Sequence, residues 1–151
     1  MGDRHVLKNE LDVFKEYGLF RQTVDQTWGA NTICKNFNSS FRTSSNIVFN
    51  NTTGEFTGFA DGGIYEVVGA VSFYNLVGLT VYYFEVSNPS PPGTLIVYGE
   101  ASDSSSRDKS NMCTSVFEAN SNTIVTLTSN PATGTGMTDR FKTFVKFKRI
   151  A

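Results

Sequence analysis

One stretch, residues 49–73, constrains the fold of this chain more than any other. Phe56 and Phe59 precede the turn Asp61-Gly62-Gly63, where glycine can adopt a positive φ at little steric cost. From Ile64 to Phe73 β-forming residues follow one another, and apolar side chains occur at both parities. A strand with two apolar faces is covered on both sides. We therefore expect it at the centre of a β-sandwich, or at a sandwich face that another subunit buries.

The rest of the chain continues the β pattern. It contains 13 Phe, 6 Tyr and 13 Gly among many Ser, Thr and Asn, a mixture typical of β proteins. About nine short strands separated by turn clusters predict an all-β, jelly-roll or immunoglobulin-like sandwich of two antiparallel sheets. The predicted strands are 32–37, 46–49, 55–59, 64–73, 79–86, 94–98, 112–117, 123–128 and 140–149.

The only helical pattern lies at residues 3–17, with Gly18 placed to end the helix. Three apolar side chains recur there at helical spacing and are candidate tether residues: Leu7, Leu11 and Phe14. So short an amphipathic helix is marginal alone and must pack. One possibility is that the helix packs on its own domain or on its copies in an oligomer. The other is that it anchors the β domain to a larger assembly. The chain is thus divided into an N-terminal helical arm and connector, residues 1–29, and a jelly-roll domain, residues 30–151.

Charge and cysteine content narrow the class of protein. A net charge of -1 does not favour nucleic acid or a membrane surface as the main partner. Cys34 and Cys113 have no metal-ligand spacing, which leaves a disulfide or two buried thiols. The first residues lack the apolar segment of a signal peptide, and no apolar stretch approaches the roughly 18 residues of a membrane span. We expect a soluble protein made in a cytoplasm, unless processing has removed a leader.

Catalytic groups are scarce. His5 is the only histidine and lies near a terminus, so neither a nucleophile–histidine arrangement nor a histidine metal site is supported. Gly134-Thr135-Gly136 lacks the lysine and the following helix of a phosphate-binding loop. We expect a protein that is not an enzyme and needs no metal or cofactor. Asn38, Asn50 and Asn51 match Asn-x-Ser/Thr, which in a protein that is not secreted indicates only polar turn residues.

Two segments are candidates for binding. Residues 101–111 show no period and predict an exposed loop, either a solvated connection or a variable recognition loop. Its candidate contact residues are Asp103, Arg107, Asp108 and Lys109. In the last strand, basic side chains alternate with apolar ones, which predicts a basic face. The basic residues are Arg140, Lys142, Lys146 and Lys148. This face either discourages edge pairing as a solvated surface or contacts an acidic partner or an anion.

An aromatic strand, an Asn-Thr-Gly turn followed by Phe, and a Gly-x-Tyr strand occur in succession. The residues that carry this order are Phe49, Asn51, Gly54, Phe56, Gly63, Ile64 and Tyr65. Residues 141–147 look like a strand that closes a domain. In these features the chain resembles the tumour necrosis factor-like family over residues 32–151, especially the branch formed by the globular heads of complement and collagen-like proteins.

The resemblance implies a ten-stranded jelly-roll subunit that associates as a homotrimer around a threefold axis. It makes four aromatic residues candidates for the trimer contact, with an ordinary core position as the alternative: Tyr65, Tyr82, Tyr83 and Phe144. It also implies that the last strand lies near the axis, where its basic face would be present three times.

Two non-enzymatic functions follow. The first is a trimeric structural or attachment module of a virus or phage particle, such as a capsid decoration protein, spike or fibre head. Its N-terminal arm would contact a capsid or other assembly protein, and its location would be the virion. The alternative is a secreted, extracellular ligand-like or carbohydrate-binding recognition head for a cell-surface receptor or glycan. That function would use loops at residues 88–93 and 101–111.

Overall fold

The structure is a computed structural model that describes residues 16–38, 42–43, 46–90, 94–103, 109–129 and 134–151. Within these ranges ten strands form the fold and no helix occurs. The strands are β1 Tyr17–Arg21, β2 Thr27–Trp28, β3 Arg42–Thr43, β4 Val48–Asn50, β5 Glu55–Thr57, β6 Ile64–Ser90, β7 Thr94–Asp103, β8 Lys109–Ser129, β9 Thr135–Thr138 and β10 Phe144–Arg149.

The first halves of β6 and β8 belong to one sheet. In their pairing Ile64 lies opposite Glu118 and Phe73 opposite Lys109, so the two strands run in opposite directions. On its other side β6 pairs antiparallel with β10, β10 pairs with β1, and β1 pairs with β3. The resulting order β3-β1-β10-β6-β8 defines what we call the front sheet.

The second halves of β6 and β8 belong to the opposite sheet. They pair from Tyr82 opposite Ser129 to Ser87 opposite Ile124. β7 pairs with β6, β5 with β8, and β4 with β5, which gives the order β4-β5-β8-β6-β7. We call this the back sheet. β9 pairs with both β2 and β6 between the two halves. The long strands therefore join two layers into a jelly-roll sandwich.

Aromatic rings from both sheets fill the space between them. Phe56 of the back sheet packs against Phe20 of the front sheet with ring centroids 5.0 Å apart, and against Phe147 at 5.1 Å. Trp28 is completely buried and packs edge-on against Phe73 at 5.3 Å. Trp28 is therefore a core residue of the subunit. Each ring adds burial of apolar surface, the dominant stabilising contribution to such a core.

Strand lengths differ from the sequence-based prediction, although the all-β class is confirmed. β6 covers both predicted strands 64–73 and 79–86, and β8 covers 112–117 and 123–128. The chain passes between the sheets without leaving the ladder, because Asn75 (φ 53°) and Gly78 (φ 78°) take the left-handed conformation where β6 bends. Residues 32–37 were predicted as a strand, but contribute only isolated bridges, Ile33 to Thr128 and Gln22 to Phe37.

The last strand begins later than predicted. Residues 140–142 form a turn, in which the Asp139 carboxylate accepts a hydrogen bond from the Phe141 N–H at 2.9 Å. The Asp139 carbonyl accepts a second one from the Lys142 N–H at 3.1 Å. These bonds hold the backbone in a turn, so the ladder with β6 starts only at Phe144.

The N-terminal prediction falls mostly outside the described residues. Of the predicted helix at residues 3–17, the structure describes only Glu16 and Tyr17, and Tyr17 begins a strand, so the helix does not extend that far. The division into residues 1–29 and 30–151 stays a prediction. Within residues 1–29, β1 and β2 are strands of the sandwich rather than a connector, because Phe20 and Trp28 are buried in its core.

Candidate interaction surface

On the side that faces away from the core, the front sheet carries apolar side chains together with polar and charged ones. Strand register places them in three rows across β1, β10, β6 and β8, which together we call the front face. The rows are Arg21, Phe144, Ala70 and Met112; Leu19, Lys146, Val68 and Thr114; and Tyr17, Lys148, Glu66 and Val116. The alternate residues of the same strands point inward and supply core side chains, because side chains in a strand alternate between faces.

One border of the front face is a sheet edge. Among the described residues the first half of β8 pairs only with β6, and on this edge Met112 is 62% and Val116 52% exposed. Leu19, Val68 and Phe144, further into the sheet, are half-buried. An exposed apolar area on a sheet with an open edge marks an interaction site rather than an ordinary solvated surface.

Two of the four predicted basic residues lie on the front face. Lys146 is exposed between Leu19 and Val68, whereas Lys148 lies opposite Glu66. Arg140 and Lys142 do not join them, because both belong to the turn before β10. The placement of all four in one strand is therefore wrong, and only Lys146 and Lys148 share a strand face, while their predicted contact with an acidic partner or an anion stays a prediction.

The turn before β10 has its own contacts. Lys142 Nζ lies 3.4 Å from Asp139 Oδ2, and the Arg140 guanidinium lies 4.7 Å from the centroid of the Phe141 ring. Phe141, predicted on the apolar side of the last strand, is 80% exposed. Arginine and aromatic side chains are frequent in binding hot spots, so this pair is a second feature suited to recognition.

Asp25 connects this turn to β6. Its Oδ1 accepts a hydrogen bond from the Arg140 N–H at 2.9 Å, and its Oδ2 accepts one from the Tyr74 hydroxyl at 2.9 Å. These two bonds lower the pKa of Asp25, with the Arg140 backbone bond having the larger effect. The carboxylate therefore stays charged over the ordinary pH range and holds the Arg140–Phe141 turn beside the sandwich.

The predicted trimer-contact aromatics lie in different places. Tyr65 and Tyr82 are completely buried in the core, which is the alternative position left open for them. Tyr83 is half-buried in the back sheet, and Phe144 alone of the four lies on the front face. Tyr65 accepts a hydrogen bond from the Ala60 N–H at 2.9 Å, and its pKa is raised chiefly by burial.

Several front-face residues are not singled out by the sequence: Leu19, Val68, Met112 and Val116. The parity of β6 contained the signal, because Val68 falls on the face opposite the buried Tyr65 and Val67. Nothing local shows that Leu19 lies in the same row, since it belongs to β1 and reaches Val68 only through β10.

The predicted recognition loop is shorter than residues 101–111. Asp103 ends β7 opposite Gly78, and Lys109 begins β8 opposite Phe73. Polar residues at both ends of the segment join the ladder because the long β6 offers pairing partners, and tertiary context overrides their weak strand preference. Arg107 and Asp108, like the tether candidates Leu7, Leu11 and Phe14, lie outside the described residues.

The described ranges contain no group of three or more His, Cys, Asp or Glu side chains that could hold a metal ion. Both cysteines are buried free thiols. Burial raises the pKa of both, that of Cys113 to about 12. Each thiol is therefore protonated near neutral pH and is a poor nucleophile. In the same part of the chain, no helix has the length and apolar character needed to cross a membrane.

Solved structures share this architecture. The globular domain of zebrafish complement 1qA protein matches with a TM-score of 0.66 at 15% identity, covering 91% of this chain and 98% of that one. Murine APRIL at pH 5.0 matches with a TM-score of 0.67 at 14% identity, covering 89% and 98%. Eiger TNF from S. frugiperda matches with a TM-score of 0.62 at 13% identity, covering 90% of this chain and 92% of that one.

The chain has the tumour necrosis factor-like jelly-roll fold. The neighbours span nearly its full length and include both a TNF protein and a complement globular domain, in agreement with the family that the sequence resembles and with the branch singled out there. At such low identity the likeness concerns the fold alone. No protein-family model and no curated protein matches the sequence.

Proposed function

We propose that this protein is a non-enzymatic, homotrimeric recognition head that binds an extracellular partner. The single observation that carries the proposal is the front face, a largely apolar sheet surface of a TNF-like fold whose β8 edge pairs with no further strand in the described part of the chain. The neighbours, two TNF-family ligands and a complement globular domain, favour the ligand-like alternative over a virus or phage particle. No comparison supports a particle protein.

The occupant of the front face is a second copy of this chain. The edge residues Met112 and Val116 and the interior residues Leu19, Val68 and Phe144 form two different patches. When the edge of one subunit packs on the sheet interior of the next, the contact is heterologous, and a rotation of one third of a turn between neighbours closes it as a ring of three. A ring of three agrees with the homotrimer that the sequence resemblance implies.

Lys146 sets a condition on this contact. It is exposed in the row between Leu19 and Val68, and burying its ammonium group in a contact without a partner would oppose association. Lys146 and Lys148 thus remain the candidates for an acidic surface or an anion supplied in the assembly. A cell-surface receptor or glycan would then bind outside the front face, where the Arg140–Phe141 pair is exposed.

Size-exclusion chromatography with light scattering at micromolar concentration tests the trimer. Val116→Asp places a charge on the front face, while Val48→Asp places the same charge on an edge strand of the back sheet. Both valines are 52% exposed, so the pair is matched. We expect a trimer mass for the wild type and Val48→Asp, and subunit mass for Val116→Asp, because an unpaired buried charge costs about 2–5 kcal/mol of binding free energy. A monomeric wild type would refute the trimer, and a folded, trimeric Val116→Asp would refute this surface.

Cell-surface binding tests the recognition role. Fluorescently labelled wild-type protein should bind cells saturably and be displaced by unlabelled protein, whereas the Val116→Asp subunit should bind much more weakly because it has lost multivalency. Val48→Asp should bind like the wild type. Equal binding by both variants would contradict a multivalent head.

A further inference from the structure

The turn between β4 and β5 contains two overlapping Asn-x-Thr sequences, Asn50-Asn51-Thr52 and Asn51-Thr52-Thr53. The four residues that make up these two sequences, 50–53, are all exposed. This turn belongs to the back sheet, and among the described residues β4 pairs only with β5, so the turn lies beside an open edge. Because the two sequences overlap on one short turn, the hydrogen bonds of each asparagine side chain are needed to decide which one is suited to modification.

The Asn51 carboxamide is held through its oxygen. Its Oδ1 accepts a hydrogen bond from the backbone N–H of Asn36 at 2.7 Å. N-glycosylation replaces a hydrogen on Nδ2 and leaves the amide oxygen unchanged. The bond to Asn36 therefore persists after modification, and it orients the substituted nitrogen away from the segment that holds the oxygen.

The Asn50 carboxamide is arranged differently. Its Oδ1 accepts hydrogen bonds from the backbone N–H groups of Thr52 at 2.9 Å and Thr53 at 3.4 Å, so the side chain folds over its own turn. Its backbone also pairs with Glu55 in the β4–β5 ladder. Glycosylation of Asn50 would leave these oxygen bonds unchanged as well, but the glycan would be attached to a side chain that folds over its own turn, whereas the Asn51 side chain bonds to a separate segment.

We infer that Asn51 is an N-glycan acceptor, a reading that rests on the extracellular location in the proposed function. In the reaction the Asn51 nitrogen forms a bond to C1 of the first sugar of a lipid-linked oligosaccharide. The bond from C1 to the diphosphate oxygen breaks, the lipid diphosphate leaves, and the nitrogen loses a proton. No oxidant or reductant takes part.

The glycan has a structural consequence at this position. It projects from the turn next to the open edge of β4, where Val48 is also exposed. A bulky solvated group there blocks strand addition to this edge. The front face lies on the other sheet and stays accessible, so glycosylation restricts association to the front face.

The test uses the full chain preceded by a cleavable secretion signal and translated with microsomes. Transfer is measured as a mass shift removed by peptide N-glycosidase, and leader cleavage shows that the chain entered the microsomes. Thr53→Val removes only the Asn51 sequence, whereas Thr52→Val removes only the Asn50 sequence. Because transfer is scored on the translocated chain, a variant that folds poorly is still informative.

We expect the shift, mapped to Asn51, in the wild type and in Thr52→Val, and its loss at this position in Thr53→Val and Asn51→Gln. A translocated wild type without modification at Asn51 would overturn the inference, as would a shift that Thr52→Val abolishes or that maps to Asn38 alone. Light scattering on secreted protein separates the two proposals. If the secreted protein is a trimer without a glycan, only the glycosylation inference is refuted. If it is a glycosylated monomer, only the proposed trimer is refuted.

Discussion

Gly69 shows how closely the two sheets approach at the scale of one residue. It lies on β6 in the front sheet, and a Cβ built there would clash with the ring of Phe84, which reaches across from the back half of the same strand. Phe84 is completely buried and cannot move aside into solvent. Nothing in the local sequence around Gly69 shows this requirement, because the ring that needs the space is distant along the chain.

Gly69→Ala should therefore destabilise the subunit by about 1–3 kcal/mol through overpacking. The matched control is Gly29→Ala, since the nearest atom to its added Cβ is Thr32 Oγ1 at 4.0 Å and its φ is not positive. Both changes restrict the unfolded chain similarly, so the difference reports packing. Urea unfolding measures it; equal stability of the two variants would show that Phe84 gives way.

At the scale of secondary-structure elements, the register between neighbouring strands decides which side chains lie opposite each other. Alternation along β6 and β10 shows from sequence alone which residues share a face. It does not show that Lys148 lies opposite Glu66, while Lys146 lies opposite Val68. Register also explains why the predicted basic row shortened: Arg140 and Lys142 precede the first paired residue of β10, so no ladder holds them in the sheet.

Lys148→Glu should cost about 0.2–1 kcal/mol of subunit stability, because it places like charges directly opposite each other across β10 and β6. Adding Glu66→Lys should restore the loss by reversing the pair. Lys146→Glu, with Val68 opposite and Glu66 only diagonal to it, serves as the control and should respond less to Glu66→Lys. Denaturant titrations at one protein concentration measure all variants, and failure of the charge swap to rescue would contradict the register.

At the scale of the whole molecule, the core contains groups that must stay neutral. Burial raises the pKa values of Cys34, Cys113, Tyr65 and Tyr82, with Cys113 at about 12. A raised pKa in the folded state means that the native protein binds its proton more tightly than the unfolded chain does. Between the unfolded and folded pKa values the unfolded state therefore releases protons first, and stability falls as pH rises.

These four groups should thus leave the free energy of unfolding unchanged between neutral pH and the ordinary thiol pKa of 9.0 and decrease it above that value, more steeply past the tyrosine value of 10.0. In Cys113→Ala the decrease between pH 9 and about 12 should be shallower, by at most about 1.4 kcal/mol per pH unit. The comparison uses the slope of the unfolding free energy against pH. The constant loss of stability caused by the smaller alanine side chain therefore does not affect it. Identical slopes would show that Cys113 is not a buried neutral thiol in the folded protein.

The amino-acid sequence by itself determined the β class, the resemblance to the TNF-like family and the two apolar faces of β6. These properties depend on residue type and on alternation within one strand, which is local. Tertiary structure alone decided that β6 and β8 each serve both sheets and that Tyr65 and Tyr82 face the core. It also brought Leu19, Lys146 and Val68 into one row. Pairing between distant strands sets these positions, because the register of a sheet depends on burying all its inward side chains together.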